Sequence, residues 1–361
     1  MSETFEIKSS IKNYEVSVIK GGAKLLAKEY SEFIVIDKKV HELWPKLNIN
    51  NSLQVEAVES NKTLATVGEL IEGLREKGAT RHSIFLSIGG GIVQDVSTFC
   101  ASAYMRGIKW IYAPSTLLGM VDSCIGGKSS INVGKYKNIA GNFYPPEKIV
   151  VDVDFCQTLT EQQLVEGLCE SVKICYARSQ ECFDIYVDMV DLESNLHDLD
   201  FLKIVSLSLR TKKEFIEEDE FDDGVRLLLN FGHTFGHALE GASNFAISHG
   251  IAVGLGMISA YRLSTDLGLV DVSESRVKKL LDHVAELLEK VDGLTDTLNK
   301  TDMHVALEKF KSDKKHDKDN YYAILYDNAG NLVRHKFEKN NINEEYIVEA
   351  FNYLRIYKDE I

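Results

Sequence analysis

The stretch SIFLSIGGGIVQD, residues 83–95, contains the pattern that decides the fold of this chain. A short apolar run ends at three consecutive glycines, and a segment of helical periodicity begins near Asp95. Helical stretches such as 64–77 and 95–105 lie among further short apolar runs, most of them bounded by turn residues. Those runs are FIVID (33–37), LQVEAV (53–58), KWIYAP (109–114) and KIVVD (148–152). Alternating strands and helices predict a doubly wound, largely parallel α/β sheet of the Rossmann-like, nucleotide-binding kind.

Beyond about residue 156 the pattern changes to long segments of helical period, which predict an all-α second domain. Because 361 residues exceed what one hydrophobic core usually supports, two domains are expected, residues 1–155 and 156–361. The predicted helices cover residues 160–178, 180–192, 200–219, 231–242, 249–268, 273–292 and 342–355.

Charge, cysteine spacing and apolar runs limit the kinds of molecule that this chain is expected to bind and where it is expected to occur. A net charge of −14 argues against a nucleic-acid footprint, so an anionic substrate would need a local cluster of cations. The six cysteines form no CxxC pair, which points to reduced thiols in a cytoplasmic protein. The N-terminus shows no signal-peptide pattern and no stretch reaches 18 apolar residues, so neither secretion nor a membrane partner is expected.

Two glycine-rich segments suit the binding of phosphate. Gly89 to Gly91, at a strand-to-helix turn, would let the backbone approach a phosphate, although a tight structural turn needs the same residues and the spacing is not GxGxxG. Gly126-Gly127-Lys128-Ser129 is not a P-loop, because Asp122 stands where that motif needs glycine. With Lys137 and Asn138 this segment suits a phosphorylated polyol, and an ordinary surface loop is the alternative.

Two histidines and a glutamate suggest a metal centre. Glu170 in GLCESVK, His233 in NFGHTFGH and His249 in SHGIAVGLGM offer two imidazoles and one carboxylate. Three protein ligands leave a fourth position open for a substrate oxygen, as in catalytic zinc sites. His237 follows His233 by four residues, so both are expected on one helix face. A lone histidine is more often structural than ligating, but this grouping favours a site.

Polar and cationic residues surround the expected ligands in the sequence. Arg226 and Asn230, four residues apart, are expected to share the helix face of His233. Cations close to a metal are costly unless an anion bridges them, and a substrate carrying carboxylate and phosphate would supply that anion. Lys173 and Lys212 are the other two cationic residues near the expected ligands in the sequence. The charged run 309–320 is by default a solvated loop.

Seven segments, taken in order, resemble the successive blocks of the 3-dehydroquinate synthase family of sugar-phosphate cyclases over about residues 33–320. They are GGGIVQD, YMRG, APSTLLGMVDSCIGGKSSIN, KNIAGNFYPP, GLCESVK, RLLLNFGHTFGHALE and HGIAVGLGM. The resemblance implies a nucleotide-binding α/β domain followed by an α-helical metal domain. It also implies NAD and a divalent metal, zinc or cobalt, as cofactors, a phosphorylated small-molecule substrate and a homodimer.

Matching positions imply a role for each site residue. Glu170, His233 and His249 would be the metal ligands. The adenosine half of NAD would contact Asp37, Glu59 and Lys62, and its pyrophosphate and nicotinamide end would contact Gly90, Gly91, Asp95, Ser115 and Thr116. The substrate phosphate would contact Lys128, Asn138, His237, a lysine of the 313–315 segment (Lys315) and Arg106 from across a dimer interface. The carboxylate region would contact Lys212, Arg226 and Asn230, with Asp122, Lys137 and Lys173 near the hydroxyls and the cofactor.

The implied reaction converts 3-deoxy-D-arabino-heptulosonate 7-phosphate to 3-dehydroquinate by oxidation at C5, phosphate elimination, reduction and intramolecular aldol closure. Alternatives are an amino-dehydroquinate synthase, a 2-deoxy-scyllo-inosose synthase, a sedoheptulose 7-phosphate cyclase or an NAD- and metal-dependent polyol dehydrogenase. Retention of Arg226 and Asn230 favours an acid substrate. The chain departs from the family pattern at four positions: Gln94, where glycine is common, Val133, Gln162 and Gln163.

Overall fold

The computed structural model describes residues 2–134, 136–271 and 275–360. Their packing divides the chain into two compact units. The first comprises Met1–Thr160 with Asp200–Glu220, and the second comprises Glu161–Leu199 with Phe221–Ile361. This grouping assigns residues 200–220 to the first unit, whereas the sequence analysis placed them in the second.

The elements up to residue 160 alternate between strand and helix. In chain order they are β1 (Glu3–Ile7), β2 (Tyr14–Ile19), α1 (Ala23–Glu29), β3 (Ile34–Asp37), α2 (Lys38–Leu43), β4 (Ser52–Val55), α3 (Leu64–Glu76), β5 (Ile84–Gly89), α4 (Gly91–Ala103), β6 (Lys109–Pro114), β7 (Ile131–Val133), β8 (Tyr136–Ala140) and β9 (Lys148–Asp152).

The remaining elements are mainly helices. They are α5 (Glu161–Arg178), α6 (Gln180–Met189), α7 (Phe201–Glu218), α8 (His233–Ala242), α9 (His249–Asp266), α10 (Ser275–Glu289), α11 (Leu294–Lys300), α12 (Met303–Lys311), β10 (Asn320–Tyr326), β11 (Leu332–Glu338), α13 (Asn341–Asn352) and α14 (Tyr357–Glu360). Among the described residues, no helix combines the length and the hydropathy that a membrane crossing requires.

Seven strands of the first unit form one sheet in the order β1-β2-β9-β6-β5-β3-β4. Only the β1 and β2 pair is antiparallel, and the other neighbours run parallel. Strand β5 is buried along almost its whole length, which is typical of a central parallel strand covered by helices on both faces. All five apolar runs read from the sequence lie in this sheet, and the predicted doubly wound α/β architecture is confirmed.

Helix α7 packs on the first unit because of its apolar stripe. The side chains of Ile204, Val205, Leu209, Phe215 and Ile216 are buried along one side of it. It lies against β1, β2 and the short π-helix Gly119–Ser123. The helical period of residues 200–219 predicted the helix itself, but periodicity does not say which neighbour covers the apolar face.

The second unit is mainly helical, but it is not all-α as the sequence analysis expected. Strands β10 and β11 form an antiparallel hairpin, with Tyr321 opposite Phe337. Its turn is held by the carboxylate of Asp327, which accepts hydrogen bonds from the backbone N–H groups of Ala329 and Asn331. Apolar residues in NYYAILY form a short run without helical or strict strand period, which explains the omission. The first two residues of the predicted helix 273–292 lie outside the described residues.

Glycines bring the helices of the second unit unusually close together. A Cβ on Gly250 of α9 would lie 2.4 Å from the backbone oxygen of Glu166 on α5. A Cβ on Gly256 would lie 2.0 Å from the backbone oxygen of Gly232, just before α8. Real side chains do not make such contacts, so α9 can approach α5 and α8 this closely only with hydrogen at these positions. This approach positions the first residue of α9.

Replacing Gly256 by alanine is expected to destabilise the second unit by about 1–3 kcal/mol, because the added methyl group forces backbones apart. Gly68→Ala is the matched control, since a Cβ at this position of α3 meets nothing within 4 Å. Because alanine favours a helix over glycine, the control should be neutral or stabilising by up to about 1 kcal/mol. Urea unfolding followed by circular dichroism measures both, and equal effects would contradict the packing argument.

Candidate active site

Three side chains from different helices converge in the second unit. Glu170 lies within α5, while His233 and His249 are the first residues of α8 and α9. The Glu170 Oε1 atom lies 3.4 Å from His249 Nε2 and 3.6 Å from His233 Nε2. These three residues are the ligand set that the sequence analysis predicted, and they lie close enough together to share one cation.

His237 lies in the same cluster. One ligand atom from each of His233, His237 and His249 lies within 4.8 Å of the others. The arrangement therefore contains two possible triads, one with Glu170 and one with His237. Glu170 is fully buried beside Lys173, His233 and His249, whereas His237 is solvent-exposed. A buried carboxylate needs positive charge beside it, so the triad with Glu170 is the better cation site.

Each of the two histidines predicted to be a ligand has a partner for its second ring nitrogen. The Nδ1 atom of His233 lies 3.2 Å from the backbone oxygen of Phe231, and that of His249 lies 3.4 Å from Glu240 Oε2. Donation from Nδ1–H would leave Nε2 free to bind a cation once its own proton is displaced, which is the tautomer a metal ligand needs. Sequence reasoning missed Glu240. Its only signal was a carboxylate three residues after His237 in HTFGHALE.

The electrostatics of the cluster favour positive charge beside Glu170. Burial raises the pKa of Glu170, but Lys173 and His249 outweigh it and lower the pKa to about 2. Lys173 forms an ion pair with Oε2 and is itself buried. Burial lowers the pKa of His249, but hydrogen bonds to Glu170 and Glu240 raise it to about 10. Burial and Lys173 keep the pKa of His233 well below its usual value.

The donor chemistry therefore fits a divalent cation. An ionised carboxylate and two imidazole nitrogens are the oxygen and nitrogen ligands that zinc and similar ions accept. A cation between them would satisfy the Glu170 oxygens, and it would replace the proton that His249 otherwise retains.

Lys315 lies beside the histidine cluster. Burial lowers the pKa of both His233 and His237, and the positive charge of Lys315 adds a smaller contribution in the same direction. Its Nζ atom lies 3.4 Å from Asp313 Oδ2, and its backbone N–H donates to Asp313 Oδ1 at 2.9 Å. The segment read by default as a solvated loop thus brings a cation near His237, as phosphate binding would require.

The expectation that Arg226 and Asn230 share the helix face of His233 was wrong. Residues Val225–Asn230 form a separate 3₁₀ helix, and α8 starts only at His233. Gly232 has φ of +76°, a left-handed conformation that separates the two helices. Arg226 is buried all the same, and the Asn230 amide donates to the backbone oxygen of Leu227.

The glycine turn of the first unit is tightly built. A Cβ on Gly89 would lie 2.5 Å from Val93 Cβ, and one on Gly90 would lie 2.9 Å from Thr116 Cγ2. Gly91 opens α4 directly after β5. The buried hydroxyl of Ser115 has no hydrogen-bond partner among the described residues. Bare backbone at a helix N-terminus next to an unsatisfied hydroxyl suits a phosphate-bearing ligand.

Lys62 connects two other predicted site residues of the first unit. Its Nζ atom lies 3.1 Å from Asp95 Oδ2 and donates to Asn138 Oδ1 at 2.6 Å. Asp95 also accepts a hydrogen bond from the backbone N–H of Ser130. Burial raises the pKa of Asp95 to about 6, even though Lys62 and that N–H lower it. The arrangement links α4 to the hairpin of β7 and β8.

The same hairpin is held from residues 59–62. Lys137 Nζ lies 3.3 Å from Glu59 Oε1, which also accepts a hydrogen bond from Asn132 at 2.9 Å. The Asn132 side chain in turn accepts the backbone N–H of Asn138. Asn132 was not among the predicted site residues. It connects Glu59, predicted to bind the cofactor, with Asn138, predicted to bind the substrate.

A lysine from α7 lies against Asp122. Lys212 Nζ is 2.9 Å from Asp122 Oδ1 and donates to the Asp122 backbone oxygen at 2.5 Å. Both residues belong to the first unit, so helix α7 supplies a predicted site cation to this unit.

Three other predicted residues of the first unit have different local surroundings. Lys128 is exposed, with Nζ 5.8 Å from the ring centre of Phe143. Arg106 is exposed on a turn in the left-handed conformation, with φ of +68°. The carboxylate of Asp37 accepts the backbone N–H of Lys39 and so caps α2. The assigned ligand-binding roles of these three residues stay predictions.

Family models match both halves of the chain. Residues 52–166 match the model described as 3-dehydroquinate synthase N-terminal. Residues 167–316 match the model described as 3-dehydroquinate synthase C-terminal. The two matches are contiguous and together span most of the chain.

Individual relatives agree with these models. The chain is 35% identical to a 3-dehydroquinate synthase of Saccharolobus solfataricus over 296 residues, 80% of each protein. Its fold is similar to that of a 2-deoxy-scyllo-inosose synthase solved with carbaglucose-6-phosphate, NAD⁺ and Co²⁺ (TM-score 0.82, 23% identity, 96% of this chain and 100% of that chain). The fold is also similar to that of a 2-epi-5-epi-valiolone synthase from Streptomyces hygroscopicus subsp. jinggangensis solved with NAD⁺ and Zn²⁺ (TM-score 0.79, 24% identity, 96% of this chain and 98% of that chain).

His249→Ala is expected to abolish tight binding of Zn²⁺ or Co²⁺, because it removes one of three protein ligands and the link to Glu240. The first unit should stay folded. Isothermal titration calorimetry of the metal-stripped protein measures the loss. His304→Ala, an exposed position on α12, is the control and should bind one cation per chain with unchanged affinity. Unchanged affinity in His249→Ala would disprove its assignment as a ligand.

Proposed function

Because this chain belongs to the 3-dehydroquinate synthase family, we propose that it converts 3-deoxy-D-arabino-heptulosonate 7-phosphate to 3-dehydroquinate and phosphate. The observation that carries the proposal is that both family models match, while the second unit brings Glu170, His233 and His249 together around one point. The enzyme is then a carbon-oxygen lyase acting on a phosphate, with NAD and a divalent metal as cofactors.

When bound, NAD would accept and later return a hydride, and zinc or cobalt would polarise the substrate oxygen at which this redox change occurs. Gly90 and Gly91 of the first unit offer backbone without side chains, and the buried Ser115 hydroxyl is a donor with no partner among the described residues. Both features fit a pyrophosphate group. Thr116 and Asp95 are also proposed to contact the pyrophosphate and nicotinamide end of NAD. Asp37, Glu59 and Lys62 are proposed to contact its adenosine half.

In the second unit, Glu170, His233 and His249 would hold the cation. Lys173 keeps the Glu170 carboxylate ionised, which a cation ligand needs. His237 and Lys315 lie beside the cluster and would bind the substrate phosphate. Buried Arg226, with Asn230, would bind the substrate carboxylate by charge-assisted hydrogen bonds.

In the first unit, Asp122 and Lys212 are proposed to contact the substrate hydroxyl and carboxylate region. Their ion pair gives each a fixed charge and orientation, so neither must be ordered when substrate binds. Lys128, Lys137 and Asn138 are proposed to supply further cationic and amide contacts to the phosphate and the cofactor. The departing phosphate is proposed to act as the base itself, and the cations that hold it would keep it aligned to accept a substrate proton.

A homodimer is proposed as the assembly. The turn at Tyr104–Arg106 exposes Met105 and Arg106, both with positive φ, on the surface of the first unit. Strain of this kind is kept where a side chain must be presented, which is consistent with Arg106 reaching a partner subunit. A cytoplasmic location is proposed as well, because all six cysteines are free.

Turnover of 3-deoxy-D-arabino-heptulosonate 7-phosphate with NAD and Co²⁺ or Zn²⁺ is expected to give equal amounts of phosphate and 3-dehydroquinate. No net NADH should accumulate, because the hydride returns to the substrate. Mass spectrometry and absorbance at 340 nm, the standard NADH signal, follow both quantities, with sedoheptulose 7-phosphate in parallel. Turnover of only the neutral sugar would assign another cyclase activity, and stoichiometric NADH would indicate a polyol dehydrogenase.

Arg226→Ala is expected to lower kcat/KM for the acid substrate by about 10- to 100-fold, because charge-assisted hydrogen bonds to its carboxylate are lost. Affinity for NAD and metal should change little. Arg334→Ala, at an exposed position on β11, is the matched control. Any slow turnover of a neutral sugar phosphate should be affected less by Arg226→Ala. An equal loss for both substrates would argue against the carboxylate role.

A further inference from the structure

Gln94 lies near the proposed site, and the proposed roles leave it unexplained. Both polar atoms of its carboxamide form hydrogen bonds. It is buried in the first turns of α4. Its Nε2 atom donates to the backbone oxygen of Ser123 at 2.6 Å. The Ser123 hydroxyl donates to Gln94 Oε1 at 2.7 Å. The two residues therefore form a reciprocal pair that satisfies both ends of the amide, and we name it the Gln94–Ser123 clamp.

Ser123 is where the glycine-rich loop begins. Residues 123–130 contain Gly126 and Gly127, both with positive φ, followed by Lys128. Glycines leave such a segment many conformations, so a defined position for Lys128 requires restraints at its ends. On the other side, Ser123 adjoins Asp122, which pairs with Lys212.

The far end of the loop is held by Asp95, the next residue of α4. Its carboxylate accepts the backbone N–H of Ser130 at 2.9 Å. The side chain of Ser129 also bonds to Asn142, at 2.7 Å. Successive helix residues point about 100° apart, so neighbouring side chains can reach opposite ends of one loop. Within the loop, the N–H of Gly126 donates to the Tyr14 hydroxyl.

We propose that Gln94 is a positioning residue, whose carboxamide fixes the entry of the loop 123–130 and thereby the placement of Asp122 and Lys128. This inference rests on the proposed function for the identity of the substrate, but the restraint on the loop does not. Gln94 acts through Ser123 and touches no reacting atom.

The test compares Gln94→Met, which keeps the length and removes both hydrogen bonds, with Ser123→Ala, which removes one. Gln94→Met is expected to lower kcat/KM by about 10- to 100-fold, because misplaced charged groups lose alignment with the substrate. The double variant should be no worse than Gln94→Met, because the clamp acts as one unit. Gln54→Ala, at an exposed position on β4, is the control and should leave kinetics unchanged.

Hydrogen exchange measured by mass spectrometry gives a readout independent of the substrate. Exchange in peptides covering residues 119–127 should be faster in Gln94→Met than in the control, while α5 and α9 should be unchanged. Lower thermal stability with unchanged kcat/KM and unchanged local exchange would mean a merely structural glutamine and overturn the proposal. If Gln94→Met fails to fold, Ser123→Ala must show the same local effects in weaker form, or the proposal is wrong.

The exchange experiment also separates this inference from the proposed function. A wild-type protein that does not turn over the acid substrate would sink the assigned activity. Faster exchange in the loop of Gln94→Met would then still support the clamp. Full turnover by the wild type, with identical exchange and kinetics in Gln94→Met, would refute the clamp and leave the activity in place.

Discussion

A buried, ionised carboxylate dominates the second unit. Glu170 has no exposed surface, and its charge is costly there unless positive groups surround it. Lys173 supplies one such group from the next turn of α5, and His249 lies at the start of α9. The imidazoles can reach Glu170 only because Gly250 and Gly256 let α9 pack directly on neighbouring backbone. Packing and electrostatics are therefore parts of the same arrangement, and loss of either would separate the ligands.

The first unit meets a different constraint, which is how to keep glycine-rich backbone in one conformation. Bare backbone at Gly90 and Gly91 can approach a ligand closely, but glycines also increase the entropy lost on folding. The structure compensates with buried polar anchors. Lys62 joins Asp95 to Asn138, Asp95 holds Ser130, and Gln94 holds Ser123. A glutamine where glycine is common thus has a physical explanation as a restraint on the neighbouring loop.

Much of the fold could be predicted from the sequence because the signals were local. The apolar run ending at Gly89 predicted strand β5, and the helix expected at 160–178 occurs as α5, Glu161–Arg178. The differences between the sequence prediction and the structure have a common cause in non-local packing. Gly232 interrupts the helix expected from residue 231, and α7 packs with the first unit. The hairpin of β10 and β11 depends on cross-strand pairs such as Tyr321 and Phe337, which are invisible to a short window.

By itself, the sequence determined the α/β and helical character of the two halves, the family, and the residue types offered as metal ligands. Those properties depend on local periodicity and on motifs of fixed spacing. Only the tertiary structure decided that Glu170 lies 3.4 Å from His249, that Glu240 supports His249, and that Gln94 bonds to Ser123. Such contacts join residues far apart in the chain. Their geometry is set by how closely helices and loops can pack, and no pattern within one segment encodes that distance.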